Sequence, residues 1–183
     1  LDGTPDPHEV AGLLAQGEAV GVARGRLEFG PRALGHRSIL LHAGDPGRAA
    51  DLGQRLGREP FMPFAPVLQA ESWDAAFVQP RAGIEAASRE MVLALPARTG
   101  FAQAAPAGLH VDGTARPQVV EAAKDPWLHA VLQAFTARTG CPALVNTSFN
   151  RHREPIVNRA GEALEAGRQV GLDAVVVGSE IVR

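Results

Sequence analysis

Apolar residues along this chain follow two spacings, one typical of helices and the other of strands. Near the start, Val10, Leu13 and Leu14 are spaced to share one face of a helix that begins after an Asp/Pro pair. The next apolar stretch, AVGVARGRL (19–27), is short and predicts a strand. The segments that follow repeat these elements, with a strand in SILLHA (38–43) and a helix in DPGRAADLGQRLG (45–57).

Proline and glycine interrupt this pattern in the middle of the chain. In PFMPFAPVLQAE (60–71), the prolines restrict a strand to the part after Pro66. Residues 72–90 have weak periodicity and predict a short helix that leads into a loop or insertion. Two further strands are predicted, and a DGT turn interrupts the second: MVLALPA (91–97) and GLHVDGTARPQVV (108–120).

The last third of the chain returns to a regular alternation. Large apolar residues from Trp127 to Phe135 recur at helical spacing and predict a core-packed helix over 125–140 that ends at a glycine. After it come a strand that runs into a polar loop, a helix and a last strand: CPALVNTSFN (141–150), RAGEALEAGRQVG (159–171) and LDAVVVGSEIV (172–182). The whole pattern predicts one compact α/β domain, over residues 1–183, with a mostly parallel or mixed sheet.

Composition and charge exclude several classes of protein. A formal net charge of −2 argues against a generally basic, nucleic-acid-binding surface, so any anion site must be local. The single cysteine, Cys141, excludes an internal disulfide, predicts a small buried residue and favours a reducing, cytoplasmic setting. The six histidines lack metal-ligand spacing, which predicts no protein-built metal site. The apolar runs are far shorter than the ~20 residues that a membrane helix needs, and a chain that opens at Leu1 without a signal sequence predicts a fragment of a longer protein.

Three polar segments follow predicted strands: EFGPRALGHRS (28–38), HVDGTARPQ (110–118) and NTSFNRHREP (146–155). In an open α/β sheet, ligands bind at the carboxyl ends of strands, so these segments are the first place to look for a site. Arginine forks, hydroxyls and amides are suitable donors for an oxyanion such as phosphate. The segments supply Arg32, Arg37, His110, Asp112, Thr114, Arg116, Asn146, Thr147, Ser148 and Asn150.

Each segment also has a purely structural interpretation. The first is consistent with a helical turn whose arginines pair with Glu28 or near Asp45. The second fits a tight turn around Asp112, and the third an Asx or ST turn that caps a helix. The coincidence of three such segments favours a binding site. The chain has no GxGxxG motif, P-loop lysine motif or Gly-x-Ser-x-Gly elbow, so a nucleotide would be held by another kind of scaffold.

Four motifs in this order, GRLEFGPRALGHRSIL, PFMPFAPVL, HVDGTARPQVV and PALVNTSFNRHREPIV, resemble the C-terminal YrdC-like domain of the O-carbamoyltransferases that modify antibiotics and nodulation factors. The resemblance spans nearly the whole chain. It implies a YrdC-like α/β fold, a twisted mixed sheet flanked by helices. It also implies a transferase that binds carbamoyl phosphate and ATP and forms carbamoyl adenylate for an acceptor hydroxyl. The acceptor would bind a preceding sugar-kinase-like domain, which this chain lacks.

Motif positions assign roles to individual residues. The resemblance implies that Arg32 and Arg116 contact phosphate, and that Ser148 and Asn150 hold the carbamoyl or phosphate group. A Mg²⁺ held mainly by substrate phosphates would assist, with no metal ligand from the protein. The remaining predicted substrate-binding residues are Arg37, Arg58, His110, Asp112, Thr114 and Thr147.

The chain departs from the family at three positions. Leu56 and Met62 stand where the family has a lysine and an arginine, and Arg153 replaces a glycine. Losing two charge-assisted contacts of roughly 1.5–3 kcal/mol each would weaken anion binding by roughly a hundredfold to ten-thousandfold. One alternative function is therefore a catalytically weakened, nucleotide-binding or structural domain. Another is an RNA-binding module, which the acidic balance and scarcity of aromatic residues disfavour.

Overall fold

The computed structural model describes residues 3–59 and 61–183, so Leu1, Asp2 and Pro60 lie outside the described residues. The helices are α1 (Pro7–Ala15), α2 (Pro46–Arg55), α3 (Trp73–Ala76), α4 (Glu85–Arg89), α5 (Thr99–Ala104), α6 (Pro126–Thr139) and α7 (Ala160–Val170). The strands are β1 (Val20–Ala23), β2 (Arg37–His42), β3 (Ala65–Gln69), β4 (Leu95–Pro96), β5 (Thr114–Ala115), β6 (Gln118–Val120), β7 (Ala143–Ser148), β8 (Ala174–Val177) and β9 (Glu180–Val182). Short 3₁₀ helices cover Ala70–Ser72 and Pro106–Gly108.

The main sheet is mixed and has the order β6-β3-β7-β2-β1-β8-β9. The pairs β1/β8 and β3/β6 are parallel, whereas β1/β2, β2/β7, β3/β7 and β8/β9 are antiparallel. Strands β4 and β5 form a separate two-stranded ribbon. Helix α1 packs against α6, α6 contacts β3 and β7, and α7 packs on β8 and β1. These features confirm the predicted α/β fold with a mixed sheet flanked by helices.

Helices α1, α2 and α6 all begin with the same capping arrangement. Each has an aspartate N-cap whose carboxylate accepts a backbone N–H, followed by a proline at the first helical position. This arrangement satisfies a donor that the helix would otherwise leave unpaired. Helix α6 ends at Gly140, whose φ of 73° lies in the left-handed region. The local sequence thus determines where these helices start and stop.

The core lies between the sheet and its helices. The predicted apolar stripe of α6 is buried, and Trp127 is 2% exposed. The Trp127 indole N–H donates to the Pro5 carbonyl at 2.8 Å. Arg24 lies over the Trp127 ring, 4.7 Å from its centroid, and pairs with Asp125. Cys141 is also buried, as predicted, and burial raises the pKa of its thiol.

Three predicted strands differ from the structure. The strand expected over 91–97 is reduced to β4, because Met91 has a left-handed φ of 54° that an extended strand cannot accommodate. No strand forms before the DGT turn, where residues 109–113 are irregular. The strand expected over 172–182 is two antiparallel strands, β8 and β9, joined at Gly178 with φ of 57°. Helix α5 was not predicted, because six residues are too few to show a helical period.

Candidate functional site

The loop between β1 and β2 is organised by its own glutamate. One Glu28 carboxylate oxygen accepts backbone N–H bonds from Leu34 at 2.8 Å, His36 at 2.7 Å and Arg37 at 3.3 Å. Arg32 is exposed on this loop and has no ion-pair partner within residues 3–59 and 61–183. Glu28 therefore shapes the backbone and leaves the Arg32 guanidinium free to meet a ligand.

Arg32 borders a small cavity, about 70 Å³ in volume, at one end of the main sheet. The cavity lies where the end of β7 meets the start of β3, since Ala65 pairs with Asn146 in the antiparallel ladder. The residues that line it come from well-separated parts of the chain: Pro31, Arg32, Ala33, Arg58, Pro63, Phe64, Ala65, Met91, Arg116, Asn146, Thr147 and Ser148.

Arg58 is the most firmly positioned cation of the cavity. It lies just after α2, and its guanidinium donates to the Thr147 hydroxyl at 3.2 Å and to the Pro63 carbonyl at 3.1 Å. Its Cζ atom lies 4.6 Å from the centroid of the Phe64 ring, a cation–π distance. The Arg58 Nε atom is buried and has no hydrogen-bond partner within residues 3–59 and 61–183. A donor is therefore held ready beside the cavity.

The cavity concentrates positive charge. Burial lowers the pKa of Arg58, and the nearby Arg116 lowers it further. Burial also lowers the pKa of Arg116, with an added contribution from Arg32. Among the described residues, no aspartate or glutamate lines the cavity to offset these cations. An anion that enters would relieve their mutual repulsion and would pair with donors such as Arg116 Nε, which has no partner in the described part of the chain.

The third polar segment contributes through a strand rather than through a loop. Asn146, Thr147 and Ser148 lie within β7, between β2 and β3, and Ser148 pairs with Ser38 of β2. The sequence placed these residues in a polar loop after the strand, because polar side chains are unusual in a buried strand. The ladder with β2 instead extends β7 through all three residues, and the ladder with β3 reaches Asn146. The site therefore lies on the sheet itself, and its hydroxyls share the rigidity of the sheet.

Six of the eleven candidate residues line the cavity: Arg32, Arg58, Arg116, Asn146, Thr147 and Ser148. The other five lie elsewhere. Arg37 is 7% exposed, and its guanidinium donates to the carbonyls of Arg24, Gly25, His36 and Asn158. It ties the start of β2 to the end of β1 and to the segment before α7.

His110, Asp112 and Thr114 form a surface turn that does not line the cavity. The Asp112 carboxylate accepts the Thr114 N–H at 2.9 Å and the Thr114 hydroxyl at 2.7 Å, and these bonds lower the pKa of Asp112. The Thr114 hydroxyl also lies 3.0 Å from His110 Nδ1. The turn fixes the backbone that leads through β5 to Arg116.

Asn150 orders its own loop. Its amide donates to the carbonyls of Arg151 at 2.9 Å and Glu154 at 2.8 Å, and it does not line the cavity. Leu56 is 1% exposed in the core, and Met62 borders an adjoining apolar groove of about 300 Å³. Neither residue brings a cation to the site.

Two further residues at the site, Gln118 and Met91, were not among the predicted ones. Met91 lines the cavity, whereas Gln118 of β6 touches the site through Asn146. A polar residue at the head of the apolar strand QVV was the one available sign of Gln118. Met91 carried no sign, because its position depends on a left-handed turn that a β-prone sequence does not predict.

The described residues include neither a candidate membrane-spanning helix nor a candidate metal-binding cluster. No helix among them is long and apolar enough to cross a membrane. No three His, Cys, Asp or Glu side chains in the described ranges are grouped closely enough to hold a metal ion.

Comparison with known proteins agrees with the motifs. A family model described as the carbamoyltransferase C-terminus matches residues 11–183. The nodulation protein NolNO of Sinorhizobium fredii is 39% identical, over 93% of this chain and 25% of its own length. The 3'-hydroxymethylcephem-O-carbamoyltransferase of Amycolatopsis lactamdurans is 32% identical, over 93% of this chain and 31% of its own length. The chain thus spans between a quarter and a third of these relatives.

Solved structures show the same fold at low identity. Full-length HypF, in its phosphate- and nucleotide-bound form, has a TM-score of 0.67 and 20% identity, over 93% of this chain and 20% of that chain. Sua5 of P. abyssi, complexed with L-threonine, has a TM-score of 0.66 and 14% identity, over 95% of this chain and 47% of that chain. These likenesses confirm the YrdC-like fold.

Proposed function

The chain belongs to the carbamoyltransferase C-terminal family, and from its cavity we propose that it binds carbamoyl phosphate and ATP and forms carbamoyl adenylate. The observation that carries the proposal is the meeting of Arg32, Arg58 and Arg116 at one cavity that no carboxylate among the described residues lines. Both proposed substrates are phosphate anions, and planar guanidinium forks suit phosphate oxygens.

The proposed reaction consumes one water molecule. Water cleaves carbamoyl phosphate to carbamate and inorganic phosphate. A carbamate oxygen then forms a bond to the α-phosphorus of ATP, and the bond from that phosphorus to pyrophosphate breaks. Carbamoyl adenylate and pyrophosphate are the products of this second step. The carbamoyl group would then pass to an acceptor hydroxyl bound by a part of the protein outside this chain.

The residues of the cavity suit this chemistry through position and charge. Two anions must approach each other, which costs free energy unless fixed cations offset their repulsion. Arg58 is held by Thr147 and by the Pro63 carbonyl, so little side-chain freedom remains to be lost when substrate binds. Arg32 and Arg116 would bind the second phosphate group. The Ser148 hydroxyl, at the end of β7, would orient the carbamoyl oxygen.

A Mg²⁺ ion would be held by the substrates rather than by the protein. The cavity lining contains arginine, amide and hydroxyl donors, and no carboxylate among the described residues. Phosphate oxygens are suitable ligands for Mg²⁺. When bound, the ion would neutralise part of the phosphate charge that the arginines do not reach.

ATP and carbamoyl phosphate are cytoplasmic metabolites, and we place the proposed reaction in the cytoplasm.

The proposal is tested by isothermal titration of the chain with carbamoyl phosphate and ATP, followed by an assay of pyrophosphate release. We expect Arg116→Ala to lower the rate of release by about 10²–10³-fold without unfolding the domain, because a fixed cation at the attacked phosphorus is lost. Arg168→Ala is the matched control, since Arg168 is exposed on α7 and its one ion pair among the described residues is with Glu165. Unchanged release in Arg116→Ala would remove this residue from the site.

A second candidate function rests on Leu56 and Met62. Leu56 is buried in the core and Met62 borders the apolar groove, so neither position supplies the cation that the resemblance implies there. A weakened domain would bind nucleotide as a structural element for the rest of the protein. Binding of ATP in the titration, without pyrophosphate release by the wild-type chain, would favour this function over the first.

A further inference from the structure

Two buried amides connect the arginine loop to the sheet. Gln118, at the start of β6, is 5% exposed, and Asn146 of β7 is 2% exposed. The Gln118 Nε2 atom donates to the Leu34 carbonyl at 2.7 Å, and its Oε1 atom accepts from Asn146 Nδ2 at 2.6 Å. Asn146 Nδ2 also donates to the Ala33 carbonyl at 3.1 Å. The pair therefore fastens the backbone next to Arg32.

The orientation of both amides follows from these contacts. A carbonyl oxygen only accepts, so the group that faces Leu34 must be the NH₂ of Gln118. The Gln118 oxygen consequently faces Asn146, which must present its own NH₂ to it. The Ala33 carbonyl requires the same orientation of Asn146. The Asn146 Oδ1 atom is left buried and has no hydrogen-bond partner among the described residues, and Asn146 lines the cavity.

An unpaired acceptor is unusual in a cavity whose charged side chains are all donors. The charged side chains that line the cavity are the arginines at 32, 58 and 116, all of which donate. An acceptor adds nothing to phosphate binding, because phosphate oxygens also accept. A buried acceptor without a partner costs free energy, which a ligand with a donor would recover. The cavity is thus suited to an anion that carries an N–H donor close to its phosphate.

We propose that Gln118 is a positioning residue that holds the Asn146 oxygen toward the ligand, and that this oxygen selects an acyl phosphate with an NH₂ group over one without it. The inference rests on the proposed function, whose substrate, carbamoyl phosphate, has an NH₂ group where acetyl phosphate has a methyl group. The two ligands have almost the same size and the same phosphate. Their relative affinity therefore reports on the NH₂ group alone.

The experiment measures the dissociation constants of carbamoyl phosphate and acetyl phosphate for the full chain by titration calorimetry. For the wild type, we expect carbamoyl phosphate to bind about tenfold to a hundredfold more tightly, because acetyl phosphate leaves the Asn146 oxygen unpaired. Asn146→Ala removes the acceptor and brings the two constants within about twofold. Gln118→Met removes the shorter bond to Asn146 and lowers the preference at least threefold.

Two further variants separate positioning from general damage. Gln118→Glu loses the donor to the Leu34 carbonyl but keeps an acceptor opposite Asn146 Nδ2. If the bond to Asn146 is what positions its oxygen, the preference for carbamoyl phosphate stays at its wild-type value, even though the new charge weakens the binding of both ligands. Gln69→Met makes the matched change on the neighbouring strand β3, where Gln69 contacts His129 and does not line the cavity. We expect the Gln69→Met variant also to keep the wild-type preference for carbamoyl phosphate. If Gln118→Met does not fold, a lost preference in Gln118→Glu overturns the positioning role.

The outcomes test the role of Gln118 separately from the proposed function. A wild-type chain that binds neither acyl phosphate overturns the proposed function. A wild-type chain that prefers carbamoyl phosphate, with the same preference in a folded Gln118→Met variant, overturns the role of Gln118 only. A wild-type chain that binds carbamoyl phosphate and acetyl phosphate equally overturns the proposed selectivity for the NH₂ group but not the anion site.

Discussion

At the residue scale, Arg153 occupies a backbone conformation that favours glycine. The position adopts a left-handed backbone with φ of 68°, which glycine occupies without steric cost. The Arg153 side chain is exposed. The loop therefore keeps a backbone suited to glycine, and the arginine adopts it under strain.

We expect Arg153→Gly to be more stable than Arg153→Ala by about 0.5–1 kcal/mol in free energy of unfolding. Both variants remove the side chain, but only glycine relieves the clash of Cβ with the backbone, and its greater freedom in the unfolded chain offsets part of that gain. Chemical denaturation measures the difference. An alanine variant as stable as the glycine variant would show that no strain is stored there.

At the element scale, α7 packs against β8 through a glycine. A Cβ added at Gly167 would lie 2.5 Å from Cγ2 of Val175, too close for any real contact. A Cβ added at Gly161 of the same helix would meet no described atom within 4 Å apart from its chain neighbours and the backbone of its own helix. Helix propensity favours alanine at both positions, so the packing alone separates them.

The two substitutions in α7 should therefore have opposite effects on stability. We expect Gly161→Ala to raise the free energy of unfolding by about 0.5–1 kcal/mol. Gly167→Ala should lower it by about 1–3 kcal/mol, since α7 must move away from β8 or Val175 must leave its rotamer. Thermal or urea unfolding of the two variants is the measurement. A stabilised Gly167→Ala variant would contradict the close packing.

At the scale of the whole molecule, two partly buried histidines couple folding to pH. Burial lowers the pKa of His42. The negative charge of Asp45 raises this pKa, but it only partly offsets the effect of burial. The Gly44 N–H donates to His42 Nδ1 at 2.9 Å, and the ring packs edge-on against Phe135, so the neutral form is favoured. Burial, followed by the charge of Arg24, also lowers the pKa of His36. Both groups thus bind protons more weakly in the folded state than in the unfolded chain.

The sign of the pH dependence follows. The unfolded histidines take up protons near pH 6.5, before the folded ones do, so the free energy of unfolding falls as pH drops from about 7 toward 5. We expect His42→Gln to reduce this slope, and His8→Gln, which changes an exposed histidine on α1, to serve as the control. The measurement is urea unfolding at several pH values. A His42→Gln slope equal to that of the wild type would contradict the prediction.

Local sequence determined most of the helices and several strands. Helices α1, α2, α6 and α7 have an apolar face, and α1, α2 and α6 also have an Asp/Pro start, signals that a few neighbouring residues carry by themselves. The limits of β4 and β9 were not determined in this way. They depend on left-handed turns at Met91 and Gly178, which the apolar pattern around them does not reveal.

The motifs identified which side chains could bind an anion, and the tertiary structure decided which of them meet. Arg32 and Arg37 lie five residues apart in the same segment, yet Arg32 borders the cavity and Arg37 is engaged by backbone carbonyls. That difference arises because Arg37 begins β2, where pairing with β1 and β7 fixes the direction of its side chain. Side-chain chemistry is a property of the sequence. The orientation of a side chain depends on strand register and on carbonyls brought close from distant parts of the chain, and so it is decided only in the folded molecule.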